Sequence, residues 1–386
     1  MLLCTKIKLE ITEQEKRTLE FMQAKCRGLY NWWVMKLRDG ERWDVYQAKA
    51  SLQESKQHDP ELEQVYGKLL QEVYFRLDKA IKAFYRRVKA GETPGFPRVR
   101  PHHCFFTLVY PAMYIKVQGY TLRLPSGGRG QHKQYPDVLA RLTEEAPSKY
   151  REVAILRDAR GNYYACFVAE RPEETAAQTG TIAFDLGIKR LATGTNEAGR
   201  IFHVGGFKGT YWYNRQLDRI RSKRDHCKKK SRRYIKLSKV YKRVSEEKRN
   251  KQKDSLHKAS HLISRKLVAS TVVVGDLSVR EMAMKERVKD KPNRFKNRAV
   301  FNDWMLYTFI QMLTYKCQLY GKDLIKIDER DTSKTCSGCG CMQNMPLWKR
   351  TYRCENCGLI MDRDENSAQN ILMRFFARLA PHMPVI

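Results

Sequence analysis

Two sets of residues in this chain have the types and spacing to do chemistry. The first is a pair of C-x-x-C steps, Cys336/Cys339 and Cys354/Cys357, fourteen residues apart. Four thiolates so spaced suit one tetrahedral Zn²⁺, and Gly340 and Gly358 after each pair suit a tight knuckle turn. Cys341 follows closely and competes as a ligand, although the spacing favours Cys339. A closed four-sulfur site contributes folding energy and has no open position for substrate. The reaction chemistry is therefore expected beside it, in carboxylates. Asp364 follows the second knuckle, and Asp185 closes the apolar stretch Thr181-Ile-Ala-Phe-Asp185 just before Leu186-Gly187. Carboxylates converging from different strands can hold two Mg²⁺ about 3.5–4 Å apart, the arrangement used for phosphodiester hydrolysis. Taken singly, Asp185 could be a turn residue and Asp364 the N-cap of the last helix.

The elements that must position these residues follow from the pattern. Residues 1–10 alternate like a strand. Thr12-Glu-Gln-Glu15 then reads as a capping box opening a helix that carries Leu19, Met22, Leu29, Trp32 and Trp33. Helical periodicity continues to Arg87, and Gly91-Glu-Thr-Pro-Gly-Phe-Pro97 breaks it. Residues 104–124 alternate apolar and polar, with a turn at Gly119. Residues 126–130 read as a flexible glycine loop, and strands resume near 153–155 and 163–168. Residues 1–10 and 95–172 are thus expected to form one β-barrel around a helical insert at 11–94. The polar, alanine-rich stretch at 172–180 marks a boundary. Beyond it come a strand to Asp185, a meander through 204, a helix from His257, a strand over 270–276 and a helix over 301–320. A strand over 324–329 follows, and the last helix after the cysteines. That order is the order of an RNase H-like nuclease core, over 180–330 and 359–386, with a zinc ribbon inserted at 331–358.

Composition narrows the partners. The chain has 386 residues, with 74 basic against 42 acidic side chains and a net charge of +32. An excess of that size points to nucleic acid. It is densest at residues 221–253, with 16 basic and 3 acidic side chains. No apolar run is long enough to span a bilayer and no signal-peptide pattern opens the sequence. Seven cysteines outside the zinc spacing fit a reducing compartment, the cytoplasm, with association to the nucleoid when DNA is bound. Arg86, Arg87, Arg98, Arg100, Lys228, Lys229 and Arg232 are candidate phosphate contacts. Tyr30, Trp32, Trp33 and Trp43 could stack on bases, but their helical spacing favours a core.

Four segments together carry a family resemblance: Phe184-Asp185-Leu-Gly-Ile-Lys189, Val274-Gly-Asp-Leu277, Asp331-Thr-Ser-Lys-Thr-Cys-Ser-Gly-Cys-Gly340 and Asp362-Arg-Asp-Glu-Asn-Ser-Ala-Gln-Asn-Ile371. The chain resembles the TnpB family of transposon-encoded, RNA-guided DNA endonucleases, relatives of the type V CRISPR nucleases. The resemblance implies a wedge barrel with a helical recognition insert, then a RuvC-type nuclease domain with its zinc ribbon. It implies a guide RNA from the transposon end, one protein per RNA, and a double-stranded DNA target beside a short motif. It also implies two catalytic Mg²⁺, one structural Zn²⁺, and a triad of Asp, Glu and Asp. Asp185 and Asp364 match the first and third positions, and Asp362 is a lower-ranked neighbour of the third. Gln71 and Thr107 fall where the family reads the target-adjacent motif, and His257 resembles another helix-borne family position.

The second triad position departs from the pattern, because Gly275 stands where the family has Glu. Asp276 should point to the opposite face, since strand side chains alternate. Glu281 lies beyond the strand. Glu329 ends the neighbouring strand, about 5 Å away, and is the favoured replacement. A nuclease-dead, RNA-guided repressor, a CRISPR-associated effector and a DNA transposase remain as alternatives.

Overall fold

The structure is a computed structural model, and it describes residues 1–128, 130–175, 179–187, 190–276, 305–346 and 348–379. Glu281 and the start of the helix expected at 301 lie outside the described residues. The chain divides into two compact units, Met1–Arg171 and Pro172–Ile386. No described helix is long and apolar enough to cross a membrane.

In the first unit, strand β1 (Leu2–Glu10) leads into helix α1 (Glu13–Arg38) through the expected capping box. The Thr12 N–H donates to Glu15 Oε2 at 2.7 Å, and the Glu15 N–H donates to Thr12 Oγ1 at 3.3 Å. Two short helices follow, α2 (Val45–Ala50) and α3 (Leu52–His58), then a 3₁₀ turn at Pro60–Gln64 and helix α4 (Gly67–Lys89). Trp33 sits among Trp32, Trp43 and Tyr74 in edge-on contacts, with ring centroids 5.1, 5.5 and 6.0 Å away. Tyr30 and Trp33 are buried, so this aromatic group is core.

The strands of this unit are β2 (Leu108–Pro111), β3 (Lys116–Gln118), β4 (Thr121–Leu124), β5 (Val138–Leu142), β6 (Glu152–Arg157) and β7 (Tyr163–Glu170). With β1 they make one antiparallel sheet in the order β2-β6-β7-β1-β5-β4-β3. Its edge strands, β2 and β3, are joined by only four residues, 112–115. Five Cα steps reach at most about 19 Å, whereas seven strands laid flat would part the edges by about 29 Å. The sheet therefore has to curl until its edges approach, although no β2–β3 ladder closes it among the described residues.

Two local readings are corrected. Residues 104–107 form no strand; the ladder starts at Leu108. The glycine loop is held rather than free. The N–H groups of Gly127 and Gly128 donate to the carbonyls of Gln64 and Glu63 at 2.9 Å each. A Cβ on Gly127 would lie 2.2 Å from the Gln64 backbone, so the close approach requires glycine there.

In the second unit, β8 (Thr181–Asp185), β9 (Ala192–Asn196) and β10 (Ile201–Val204) form an antiparallel meander. Helices α5 (Thr210–Asp225) and α6 (Arg232–His261) pack side by side and lead to β11 (Thr271–Gly275). Helix α7 (Leu306–Leu319) leads to β12 (Asp323–Ile327). After the cysteines come β13 (Thr351–Arg353), β14 (Ile360–Asp362) and helix α8 (Arg363–Leu379). The five-stranded sheet runs β10-β9-β8-β11-β12, with β8, β11 and β12 parallel.

The helix expected to begin at His257 is the last stretch of α6, which continues through one π-type turn at Leu262–Lys266. Its early turns are basic and exposed. Its later turns bury Leu256, Ala259 and Ile263 against Phe184, Val272, Val274 and Phe309 on one face of the sheet. The other face buries Ala183, Val273 and Ile327 under Ile371, Leu372 and Phe375 of α8. This is a three-layer arrangement, and the α8 face carries the carboxylates.

Candidate active site and cysteine cluster

Period-two alternation and the strand register decide which side chains meet. Asp185 shares a face with Ala183 and Gly275 with Val273, on the α8 side at the carboxyl ends of parallel strands, whereas β12 ends at Ile327 and Glu329, expected to end it, lies two residues beyond. Gly275 pairs with Ile327, and the Asp276 N–H donates to the Ile327 carbonyl at 2.7 Å. The chain then turns so that Glu329 comes back over Gly275. A Cβ built on Gly275 would lie 2.1 Å from Glu329 Oε2 and 3.0 Å from Glu329 Cβ. The glutamate occupies the volume that a side chain at 275 would need. The turn is held by Thr332, whose Oγ1 donates to the Glu329 carbonyl at 2.9 Å.

The carboxylates feel one another. Burial, Glu329 and Asp364 push Asp185 well above the ordinary carboxylate range, against the guanidinium groups of Arg363 and Arg350. Burial, with Asp276 and Asp328 nearby, raises Glu329 to about 7. Glu329 Oε2 is buried and meets no hydrogen-bond partner among the described residues. A negative cluster with an orphaned buried oxygen fits divalent cations, which supply the missing charge and coordination. The carboxylates are spread more widely than a single-ion cage, because among the described residues only the cysteines bring all their ligand atoms within 4.8 Å.

Asp364 is not the cap of its helix. Asp362 ends β14 and its Oδ1 accepts the Asp364 N–H at 2.8 Å, which leaves the Asp364 carboxylate for other partners. Arg190 reaches Asp362 Oδ2 at 3.4 Å. Arg350 Nη1 donates to Asp364 Oδ1 at 3.2 Å. Sequence reasoning missed Arg350, which sits in the cysteine insert among several other basic residues. Asp276 is exposed.

The four candidate cysteines do converge. Sγ–Sγ separations are 3.6 Å for Cys336–Cys357 and for Cys339–Cys354. Four sulfurs about 2.3 Å from one ion would stand about 3.8 Å apart. Gly340 and Gly358 both have φ +73°, and their N–H groups close the two knuckles onto the Cys336 and Cys354 carbonyls. The Asn356 amide, with the backbone N–H of Cys341, lowers Cys339 to about 6. Cys341 lies outside the cluster and lends its carbonyl to the Cys336 N–H at 2.9 Å. This set could hold one tetrahedral ion.

A pair of buried asparagines ties the cluster to the carboxylates. Asn366 and Asn370, one turn apart on α8, both donate to the Thr335 carbonyl at 2.7 Å. Asn370 also reaches the Thr332 carbonyl at 2.8 Å, and Asn366 Oδ1 accepts the Ser337 N–H at 2.9 Å. The segment between Glu329 and Cys336 is thereby fastened to the helix that bears Asp364. The i, i+4 asparagines after Asp364 were the available signal, since that spacing puts both on one helix face.

The nucleic-acid candidates scatter. Gln71 lines a cavity of about 630 Å³ with Lys56, Lys68, Tyr66 and His132. Thr107 lines a different cavity of about 200 Å³ with Glu72, Arg76 and Glu152. Arg86 and Arg87 are exposed at the end of α4, and Arg87 pairs with Glu92 at 2.8 Å. Lys228 and Lys229, between α5 and α6, and Arg232, at the start of α6, are exposed. There, Arg221 and Arg224 lie 5.6 and 5.4 Å from the Tyr241 ring centre. The His257 backbone carbonyl accepts Lys316 Nζ at 2.6 Å, a packing role.

Known proteins match in both sequence and fold. Residues 164–286 match the OrfB_IS605 family model, described as "Probable transposase". Residues 307–371 match the Cas12f1-like TNB domain model. A TnpB-like protein of Acanthamoeba polyphaga mimivirus is 35% identical over 136 residues, which is 35% of this chain and 24% of that protein. A Streptomyces pristinaespiralis protein named "Putative RNA-guided DNA endonuclease" is 31% identical over 234 residues, 57% of this chain and 52% of the relative. The chain thus spans from about a quarter to about half the length of these two relatives. In fold it is similar to the protein in the "Cryo-EM structure of the Cas12f1-sgRNA-target DNA complex", with TM-score 0.63 and 12% identity, over 93% of this chain and 83% of that one. In fold, then, the chain is Cas12f1-like, and its own cysteine insert precedes its last described helix. In sequence the chain is similar to TnpB-like proteins and to proteins named as RNA-guided DNA endonucleases.

Proposed function

We propose that this chain is an RNA-guided DNA endonuclease that cuts double-stranded DNA in one site built from Asp185, Glu329 and Asp364. The observation that carries this reading is the seat of Glu329, whose carboxylate fills the volume left by Gly275 and restores a third acid beside Asp185. Two Mg²⁺ bound there would activate water and offset charge on the leaving oxygen. Asp185, Glu329 and Asp364 hold the cations in this reading. Arg350 balances Asp364 and keeps N–H donors to spare for a phosphate. The cysteine cluster holds a structural Zn²⁺, as its sulfur spacing suits. The first unit serves as the wedge barrel with its helical recognition insert, Gln71 and Thr107 reading the target-adjacent motif. The second serves as the RNase H-like RuvC domain with its zinc ribbon. Lys228, Lys229, Arg232, Arg86 and Arg87 contact phosphates of a transposon-derived guide RNA and its DNA target, with sequence read by base pairing. The names of the relatives support this reading.

Cleavage of target plasmid by the ribonucleoprotein, purified with its flanking RNA, is the test. Mg²⁺-dependent double-strand cuts should vanish in Asp185→Ala, Glu329→Gln and Asp364→Ala while target binding persists. A wild type that binds target and never cuts would make the chain a guided repressor. Cutting that survives Glu329→Gln would move the third acid to Asp276 or Glu281.

A further inference from the structure

We propose that Thr193 is a positioning residue of the carboxylate site, its hydroxyl holding a water molecule of the hydrated cations. The inference rests on the reading that Asp185, Glu329 and Asp364 bind those cations.

Thr193 is the cross-strand partner of Asp185, so the two side chains stand on the same face of the sheet, the face covered by α8. The residue is 1% exposed, and Thr193 Oγ1 is buried with no hydrogen-bond partner among the described residues. An orphaned hydroxyl in a core lowers stability, and valine would fill the same space without that loss. Threonines and serines elsewhere in this unit avoid the problem. Thr195, two residues along the same strand, donates to the Asn196 carbonyl at 3.4 Å, and Ser260, Ser264 and Thr314 donate to carbonyls one turn back. Among the described threonines and serines, only Thr193 has a buried hydroxyl without a partner.

Its surroundings fix it in place. A Cβ on the next residue, Gly194, would lie 2.4 Å from the Phe184 ring, so β9 lies flush against β8. The other buried orphan of this sheet face is Glu329 Oε2. Two unpartnered polar atoms thus flank Asp185, one on each side: Thr193 on β9 and Glu329 beyond β12. Mg²⁺ keeps several of its waters when carboxylates bind it, and each such water is a strong donor. A hydroxyl lone pair beside Asp185 is a suitable acceptor for one. Side chains at one remove from a metal change its affinity by about 10–100-fold when lost.

The experiment uses the zinc-loaded full chain without RNA, with Mn²⁺ as probe, the free ion being counted by electron paramagnetic resonance. Thr193→Val should weaken Mn²⁺ binding about tenfold or more, with a melting temperature equal to or above wild type. Thr193→Ser, which keeps the hydroxyl, should bind Mn²⁺ within about twofold of wild type. In the ribonucleoprotein, Thr193→Val should raise the Mg²⁺ concentration for half-maximal cleavage by a similar factor and spare the rate at saturating Mg²⁺. Unchanged Mn²⁺ affinity in Thr193→Val would overturn the proposal and leave Thr193 a core residue. If Thr193→Val does not fold, Thr193→Ala against Thr193→Ser decides on the same readout, and equal affinities overturn it. Asp185→Ala separates the underlying reading: if it binds Mn²⁺ as well as wild type, the carboxylate site itself is wrong.

Discussion

Glu329 is an acid that folding makes weaker, from the ordinary 4.5 to about 7, mainly by burial. Between those values the folded state holds a proton that the unfolded chain has lost, so stability falls as pH rises through this window. The free-energy equivalent is about 3 kcal/mol. With no added divalent cation, the protein should therefore melt higher at pH 5 than at pH 7.5. Added Mg²⁺ should raise the melting temperature more at pH 7.5, where the carboxylate is ionised. Glu329→Gln should flatten both trends in a thermal-shift series, and a slope unchanged by that substitution would assign the window to other groups. Asp185 and Asp364 are legible in the sequence because each sits at a predicted strand end or helix start. Glu329 was legible as the acid after the neighbouring strand, but only the fold shows its carboxylate filling the space at Gly275. Thr193 carried no signal of its own, since one of two threonines in the short strand Ala192-Thr-Gly-Thr-Asn196 reads as packing.

Helix α8 is the element on which the site depends. It presents Asp364 at its first turn and clasps residues 332–337 through Asn366 and Asn370. Removing one partner of a buried hydrogen bond costs about 1–3 kcal/mol. Asn370→Ala should lower stability by that amount in denaturant titrations. The two proposed metal-binding regions should also be linked through this clasp. Stripping metal from the cysteines should weaken Mn²⁺ binding at the carboxylates, and bound Mn²⁺ should strengthen metal retention at the cysteines by the same factor. Independent affinities in the two directions would show that the clasp transmits nothing. The order of strands and helices around α8 was legible from periodicity and turn residues. That Asp362, not Asp364, caps it was not, because two acids two residues apart offer the same cap and only the folded backbone chooses.

Across the whole molecule, charge is organised more clearly than shape in the sequence. The 16 basic side chains of residues 221–253 lie along α5, α6 and the link between them, largely exposed, with arginines braced on Tyr234 and Tyr241. Replacing Lys228, Lys229 and Arg232 together by alanine should weaken guide-RNA binding and reduce the slope of log affinity against log salt by about 2–3. Melting of the free protein should stay near wild type. An unchanged slope would place the RNA elsewhere. The curl of the first unit's sheet was expected as a barrel, but its cause was not legible. It follows from the four-residue link between two opposite edge strands, and only the pairing order makes those strands opposite edges.

The shared volume of Gly275 and Glu329 has a consequence for how such a site can change over generations. A side chain added at 275 first would push the Glu329 carboxylate out of its seat. A glutamate removed from 329 first would leave the sheet end without its third acid. No order of two single substitutions passes from one arrangement to the other without a defective intermediate. Gly275→Glu alone and Glu329→Ala alone should both be inactive, and their combination should cut better than either. The two arrangements of this acid are then separate peaks, joined only by a double step.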